Sequence, residues 1–102
     1  MSRKRTKALS PSDAVRREVY ERDRWCIFCG DPHSKTLAHF ISRAQGGLGI
    51  KENLARVCIR CHHQLDHTTD RKKMLAQFRD YLESLYPHFT DEERVFKRWT
   101  DF

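Results

Sequence analysis

Between residues 70 and 87 the apolar side chains Met74, Leu75, Phe78, Tyr81, Leu82 and Leu85 recur at spacings of one, three and four, with charged and polar residues between them. That rhythm places them on one helical face and predicts an amphipathic helix, ended by Pro87, whose stripe turns toward a core. A shorter pattern stands near the N-terminus, where "AVRREVYERD" sets Val15 and Val19 one turn apart among charges. The preceding "SPSD" offers Ser10 as N-cap, Pro11 at the first helical position and Asp13 at the third. "TLAHFI" (36–41) and "NLARVC" (53–58) read as short strands. Between them "SRAQGGLG" holds three of the four glycines and must be loop. "TDEE" (90–93) is a capping box that predicts a last short helix through Trp99. The pattern describes an α+β fold: one domain over residues 10–102, with a flexible basic arm over residues 1–9 before it.

The apolar supply behind this pattern is small. Hydrophobic residues make up 38% of the 102, and mean hydropathy is -0.81. A chain of this length buries only roughly 60–70% of the surface its unfolded form exposes, so the core needs other support. Charge adds a second constraint. The net charge is +6 and the pI about 9.4, with Arg3, Lys4, Arg5 and Lys7 clustered at the start. Such an excess favours a polyanionic partner, nucleic acid before an anionic membrane surface. No segment approaches the ~18 apolar residues of a membrane span. No apolar stretch follows the basic start, so no export signal is expected and the cytoplasm is the expected location.

Four cysteines supply the missing support. They form two C-x-x-C pairs, Cys26–Cys29 and Cys58–Cys61. Thiolates so spaced can turn back on one tetrahedral Zn²⁺ at ~2.3 Å, and two such knuckles complete its coordination. Each competing reading of the cysteines lacks a companion feature. A c-type haem would fit "CIRCHH" but calls for export; a thioredoxin motif needs one pair in a βαβ setting; disulfides need an oxidising compartment. Structural zinc contributes ~10–16 kcal/mol of apparent binding free energy, against a whole-domain stability of ~5–15 kcal/mol. For a thin core the metal decides folding.

Six histidines in one small domain call for chemistry as well as packing. His62 and Asp66 are four apart on the expected helix, so they share a face and can grip one cation. His63 and His67 form a second such pair, rotated by about 100°, and both pairs are not expected to face one site. His39 stands at a strand end before the glycine-rich loop.

Taken together, "CIFCG", "LAHFISRAQGGLGIKENLARVC" and "CIRCHH" resemble the HNH endonucleases, in particular small phage-type proteins with two C-x-x-C knuckles. The resemblance implies a ββα-metal core with a four-cysteine zinc site, flanked by an N-terminal helix and C-terminal helices. It implies a metal-dependent hydrolase of DNA phosphodiester bonds in a phage or prophage setting, beside packaging proteins, acting as monomer or dimer. His39 would be the general base and Asn53 would hold it in place. His62 would bind the catalytic cation (Mg²⁺, Mn²⁺ or Ni²⁺), with Asp66 as a further ligand. Arg43, beside the loop, would brace a phosphate, and Arg3, Lys4, Arg5 and Lys7 would contact DNA. One position departs from the family: the residue before the base usually binds metal, and here it is Ala38. The cation would then rest on His62 with Asp66, or with substrate and water. That departure keeps a second reading open, a zinc-stabilised DNA-binding module that has lost cleavage. A third is a protein-docking adaptor that uses the C-terminal helices.

Overall fold

The structure, a computed structural model, describes residues 3–97. The chain runs α1 (Arg3–Leu9), α2 (Asp13–Arg22), β1 (Thr36–His39), β2 (Leu54–Val57), α3 (Ile59–His67) and α4 (Arg71–Leu85). Single 3-10 turns occur at Arg43–Gln45, Lys51–Asn53 and Glu92–Arg94. The architecture is α+β, with a two-stranded hairpin flanked by helices.

The strands pair antiparallel, Thr36 opposite Val57 and His39 opposite Leu54. Side chains alternate across a strand, so Ala38, opposite Ala55, turns to one face and Leu37 and His39 to the other. The Ala38 face is the core, where Ala38, Ala55 and Val57 meet Phe40, Leu65 and Phe78. α4 closes that core with the expected stripe. Met74, Phe78 and Leu82 are buried, Leu75 and Tyr81 pack at its edge, and Leu85 at the helix end remains exposed. The Phe78 ring meets Phe40 edge-on at 5.3 Å.

A buried polar hub ties α2, β2 and α4 together. Asp23 is 3% exposed and accepts from both Arg22 Nε (2.7 Å) and the Arg56 backbone N–H (3.0 Å), as well as from the Tyr81 hydroxyl. Arg22 in turn donates to the carbonyls of Lys51 and Leu54. Burial works against the guanidinium charge, but hydrogen bonds to Asp23 and Tyr86 outweigh it and hold the Arg22 pKa high. Burying a charged pair is tolerable only when its remaining hydrogen-bonding capacity is used in this way. The chain pattern carries no periodic sign of this hub.

Several boundaries differ from expectation, each for a local reason. The segment expected as a flexible arm is helical over Arg3–Leu9, and Leu9 is buried. α2 begins at Asp13, because Ser12 and not Ser10 accepts the free N–H of Val15 at 3.1 Å. β1 stops at His39 because the backbone of Ile41 is engaged by the side chain of Asn53 instead of a strand partner. The capping box forms, Thr90 and Glu93 exchanging side-chain to backbone hydrogen bonds. It opens only the 3-10 turn Glu92–Arg94, after which Val95 pairs with Gly47. Trp99 and the side chain of Arg3 lie outside the described residues. Among the described residues no helix is long and apolar enough to cross a membrane.

Candidate metal centre and adjoining groove

The two knuckles converge. The Sγ atoms of Cys26, Cys29, Cys58 and Cys61 all lie within 4.8 Å of one another. Tetrahedral Zn–S bonds of ~2.3 Å place sulfurs about 3.8 Å apart, and Cys29 and Cys58 stand 3.6 Å apart. Backbone N–H groups point at the sulfurs, Phe28 at Cys26 (3.4 Å) and Cys61 at Cys58 (3.3 Å), as thiolate ligands require. A backbone hydrogen bond at Asp31 lowers the exposed Cys29 thiol to about 7, whereas burial raises those of Cys58 and Cys61. Thiols crowded and buried in this way ionise together only around a cation. The four residues fit structural zinc in donor type, number and spacing.

Cys58 has a second task. Its Sγ is the N-cap of α3, accepting from Cys61 N–H in place of the serine or aspartate usual there. The knuckle therefore aims α3, and α3 carries His62 one residue after the last ligand. His62 Nδ1 lies 3.2 Å from Thr36 Oγ1. The Thr36 hydroxyl gives its proton to the Val57 carbonyl, so toward His62 it accepts. Nδ1 then carries the ring hydrogen and Nε2 faces outward, 3.3 Å from Asp66 Oδ2. The pair presents one imidazole nitrogen and one carboxylate oxygen side by side on the same face of α3. Among the described residues no third His, Cys, Asp or Glu joins this pair in a cluster. Two protein donors suit an ion that keeps water and phosphate oxygens as its other ligands.

His62 and Asp66 open into a groove of about 590 Å³ together with His39, His67, Arg16, Arg43 and Arg71. The arginines come from three places: α2, the glycine-rich loop and the start of α4. Among the described residues Asp66 is the one acid on the lining. His39 is half-buried, with Nε2 2.8 Å from the carbonyl of Leu9. Burial lowers its pKa below the ordinary 6.5, the charges of Arg43, His62 and Arg16 lower it further, and the Leu9 carbonyl acts the other way. That direction favours the neutral ring at pH 7.

The side-chain hydrogen bonds of Asn53 go to main chain and not to that ring. Its side chain is fully buried and spans the loop: Oδ1 accepts from Ile41 N–H (2.9 Å), and Nδ2 donates to the carbonyls of Ile41 (3.1 Å) and Leu48 (2.9 Å). It holds the chain just after His39, not the imidazole. Gly47 lets this loop close, since a Cβ there would stand 1.6 Å from the Ile41 carbonyl oxygen.

The expected histidines sort cleanly. His39, His62 and Asp66 meet in the groove, and so does His67, while His63 does not line it. The two helical pairs are thus partly joined, because a groove this wide spans more of α3 than one stripe. Arg16 and Arg71 also line it, and nothing in their local sequence distinguishes them from solvated arginines. Of the expected DNA contacts, Arg43 is on the lining; its Nη1 lies 3.3 Å from Ser10 Oγ and its carbonyl accepts from Arg5. No protein-family model matches the chain, and no curated protein matches it either.

Zinc analysis of chelator-free protein is expected to give one Zn²⁺ per chain. Cys61→Ser is expected to abolish the cooperative thermal transition, followed by circular dichroism. A folded, zinc-free wild type would contradict both.

Ala38 generates a sharper expectation. It is fully buried on the core face, so it points away from the groove, and a ligand placed there would not reach His62 and Asp66. Ala38→Asp should instead cost roughly 2–4 kcal/mol in urea unfolding, by overpacking and by burying a carboxyl group. Leu37, on the groove face, is the strand position from which a carboxylate would reach outward.

Proposed function

We propose that the protein is a metal-dependent DNA endonuclease of HNH type, hydrolysing phosphodiester bonds in the groove between β1 and α3. The observation that carries this reading is one groove that unites a half-buried histidine of lowered pKa, a His–Asp pair whose donor atoms could hold a cation, and three arginines. Phosphodiester hydrolysis needs all three. A base takes a proton from water as its oxygen attacks phosphorus, and a histidine titrating somewhat below neutrality is unprotonated for that task at pH 7. Arg16, Arg43 and Arg71 favour a polyanion at the groove and offset the charge that grows on the phosphoryl oxygens. A divalent cation held by His62 and Asp66 would polarise the phosphate and stabilise the departing oxygen. The P–O bond then breaks and water protonates the leaving alkoxide. Lys4, Arg5 and Lys7 lie in α1, whose C-terminal end borders the same groove through Leu9, so DNA seated there runs past them.

A DNA-binding module without cleavage is the second reading, favoured by the presence of just two protein donors for the cation. It leaves the neutral His39 beside those donors without a task. Plasmid incubated with Mg²⁺, Mn²⁺ or Ni²⁺ separates the readings, since only the nuclease nicks or linearises it.

His39→Ala is expected to lower kcat by ~10²–10⁴ with DNA affinity nearly unchanged, measured by plasmid cleavage beside fluorescence anisotropy. The wild-type rate should fall on the acid side with an apparent pKa below 6.5, because the base must be neutral and its pKa is depressed. A normal rate in His39→Ala would remove this histidine from the chemistry.

Replacing Lys4 and Lys7 together by Gln should flatten the dependence of log affinity on log salt by about 0.7–0.9 for each phosphate no longer neutralised. An unchanged slope would place the DNA away from α1.

A further inference from the structure

Helix α3 carries a second histidine pair that neither the four thiols nor His62 and Asp66 use. His63 and His67 stand four residues apart, so both rings rise from one face of the helix, rotated by about 100° from the face of His62 and Asp66. Both residues are exposed. Their ring centres are 4.9 Å apart and their planes are inclined at 46°, so the rings lean toward one another without stacking. Among the described residues neither side chain enters a hydrogen bond or an ion pair, and each ring has the other as its partner. Two metal–nitrogen bonds of ~2.0–2.1 Å, each extended by the ~1.1 Å from ring nitrogen to ring centre and set ~90–109° apart, separate the ring centres by about 4.5–5.1 Å. The observed spacing falls inside that range. His67 also lines the groove, beside Asp66 and Arg71, whereas His63 stands outside it.

We propose that His63 and His67 form a separate cation site, a two-imidazole chelate on the exposed face of α3 that takes a borderline transition-metal ion such as Ni²⁺, Cu²⁺ or Zn²⁺. The donors select the ion. Imidazole nitrogen suits these metals, whereas Mg²⁺ calls for oxygen ligands, and the neighbouring carboxylate of Asp66 is turned to His62 and Arg71 instead. Among the described residues no third His, Cys, Asp or Glu joins the pair in a cluster, so water fills the other coordination positions. The ion is therefore exchangeable, unlike one enclosed by four thiolates. The helix presets both arms of the chelate. Once one imidazole has bound, the other is held nearby at high effective concentration, and the second bond forms within the molecule. An ion seated there adds positive charge at the edge of a groove where Arg16, Arg43 and Arg71 already gather. The inference concerns the binding of the ion and needs no cleavage.

The test is a calorimetric titration of Ni²⁺ into zinc-loaded full-length protein carrying His62→Ala, in which the groove pair has lost its nitrogen. One Ni²⁺ per chain is expected to bind, undisturbed by a large excess of Mg²⁺. Adding His63→Gln or His67→Gln should weaken that binding on the order of 10²-fold, because a single imidazole forfeits the effective concentration of the chelate. Adding His33→Gln or His88→Gln, exposed histidines elsewhere on the chain, should leave it unchanged. Should His62→Ala not fold, the same glutamine substitutions in the wild type decide. His63→Gln and His67→Gln should then each remove one Ni²⁺ from the stoichiometry, with any ion on His62 and Asp66 retained. No Ni²⁺ binding, displacement by Mg²⁺, or binding that persists at full strength in His63→Gln would each overturn the inference. Binding lost in His67→Gln but kept in His63→Gln would also overturn it, assigning the ion to the groove. Plasmid cleavage plays no part in this measurement, so failure of the nuclease reading leaves its outcome distinct.

Discussion

Four thiols gathered within reach of one metal ion set the geometry of this protein. Cys26 and Cys29 precede the hairpin, and Cys58 and Cys61 follow it directly, so joining the pairs closes the hairpin from both ends. Cys58 is at once ligand and cap of α3, and the His62 N–H bonds to its carbonyl at 2.8 Å. The direction of α3, and with it the reach of His62 and Asp66, is therefore inherited from the metal knuckle. Three of the four cysteines are buried and belong to the same cluster as Phe78 and Leu65. Metal centre and hydrophobic core are one body, which is how a chain of only 38% hydrophobic residues holds a groove in place.

The opposite wall of the groove depends on hydrogen bonds instead of a metal. Asn53 closes the turn after His39 with three side-chain bonds to main chain, and two segments distant in sequence, α1 and residues 94–96, clasp the same loop from outside. From one side α1 contributes the bond from Gly49 to Ala8. From the other, Leu48 bonds to Arg94 and Phe96 to Gly46. Arg94 is 2% exposed, and its Nε donates to the Glu52 carbonyl at 2.8 Å. A glycine-rich loop loses more conformational entropy on ordering than other sequence of its length. Its order here comes from several directional bonds converging from segments distant in sequence.

That distribution explains what could be read from the chain. The helical stripe of α4, both strands, the zinc knuckles and the His62–Asp66 pair are short-range patterns, each visible within a few residues of itself. Helix α1 was not legible, because a run as basic as residues 3–7 has no apolar period beyond Leu9, and its helix is supported by bonds to residues 43 and 49. The task of Asn53 was legible only in outline: its place next to β2 marked it, but which atoms it meets depends on how the loop folds back. Ala38 misled for a simpler reason. Counting residues before His39 locates a neighbour in sequence, while the pleat of a strand sends neighbours to opposite faces. The partner that a cation would want on β1 stands one residue earlier, at Leu37.

Leu37 also bears on how the groove can work. With an apolar side chain at the groove-facing strand position and, among the described residues, only His62 and Asp66 as close donors, an ion there would keep most of its other sites for water and phosphate. Arg71 competes for the same carboxylate, its Nη1 3.7 Å from Asp66 Oδ1. On the proposed nuclease reading, DNA that brings phosphate to the groove would offer Arg71 an alternative anion and free Asp66 toward a cation. Substrate and metal would then each improve the other's site, a reciprocal coupling that needs no motion larger than one exposed arginine changing partner. On the same proposed reading, a site assembled in this way would hold its cation weakly alone and more strongly on DNA, so hydrolytic competence would appear where the phosphate already is.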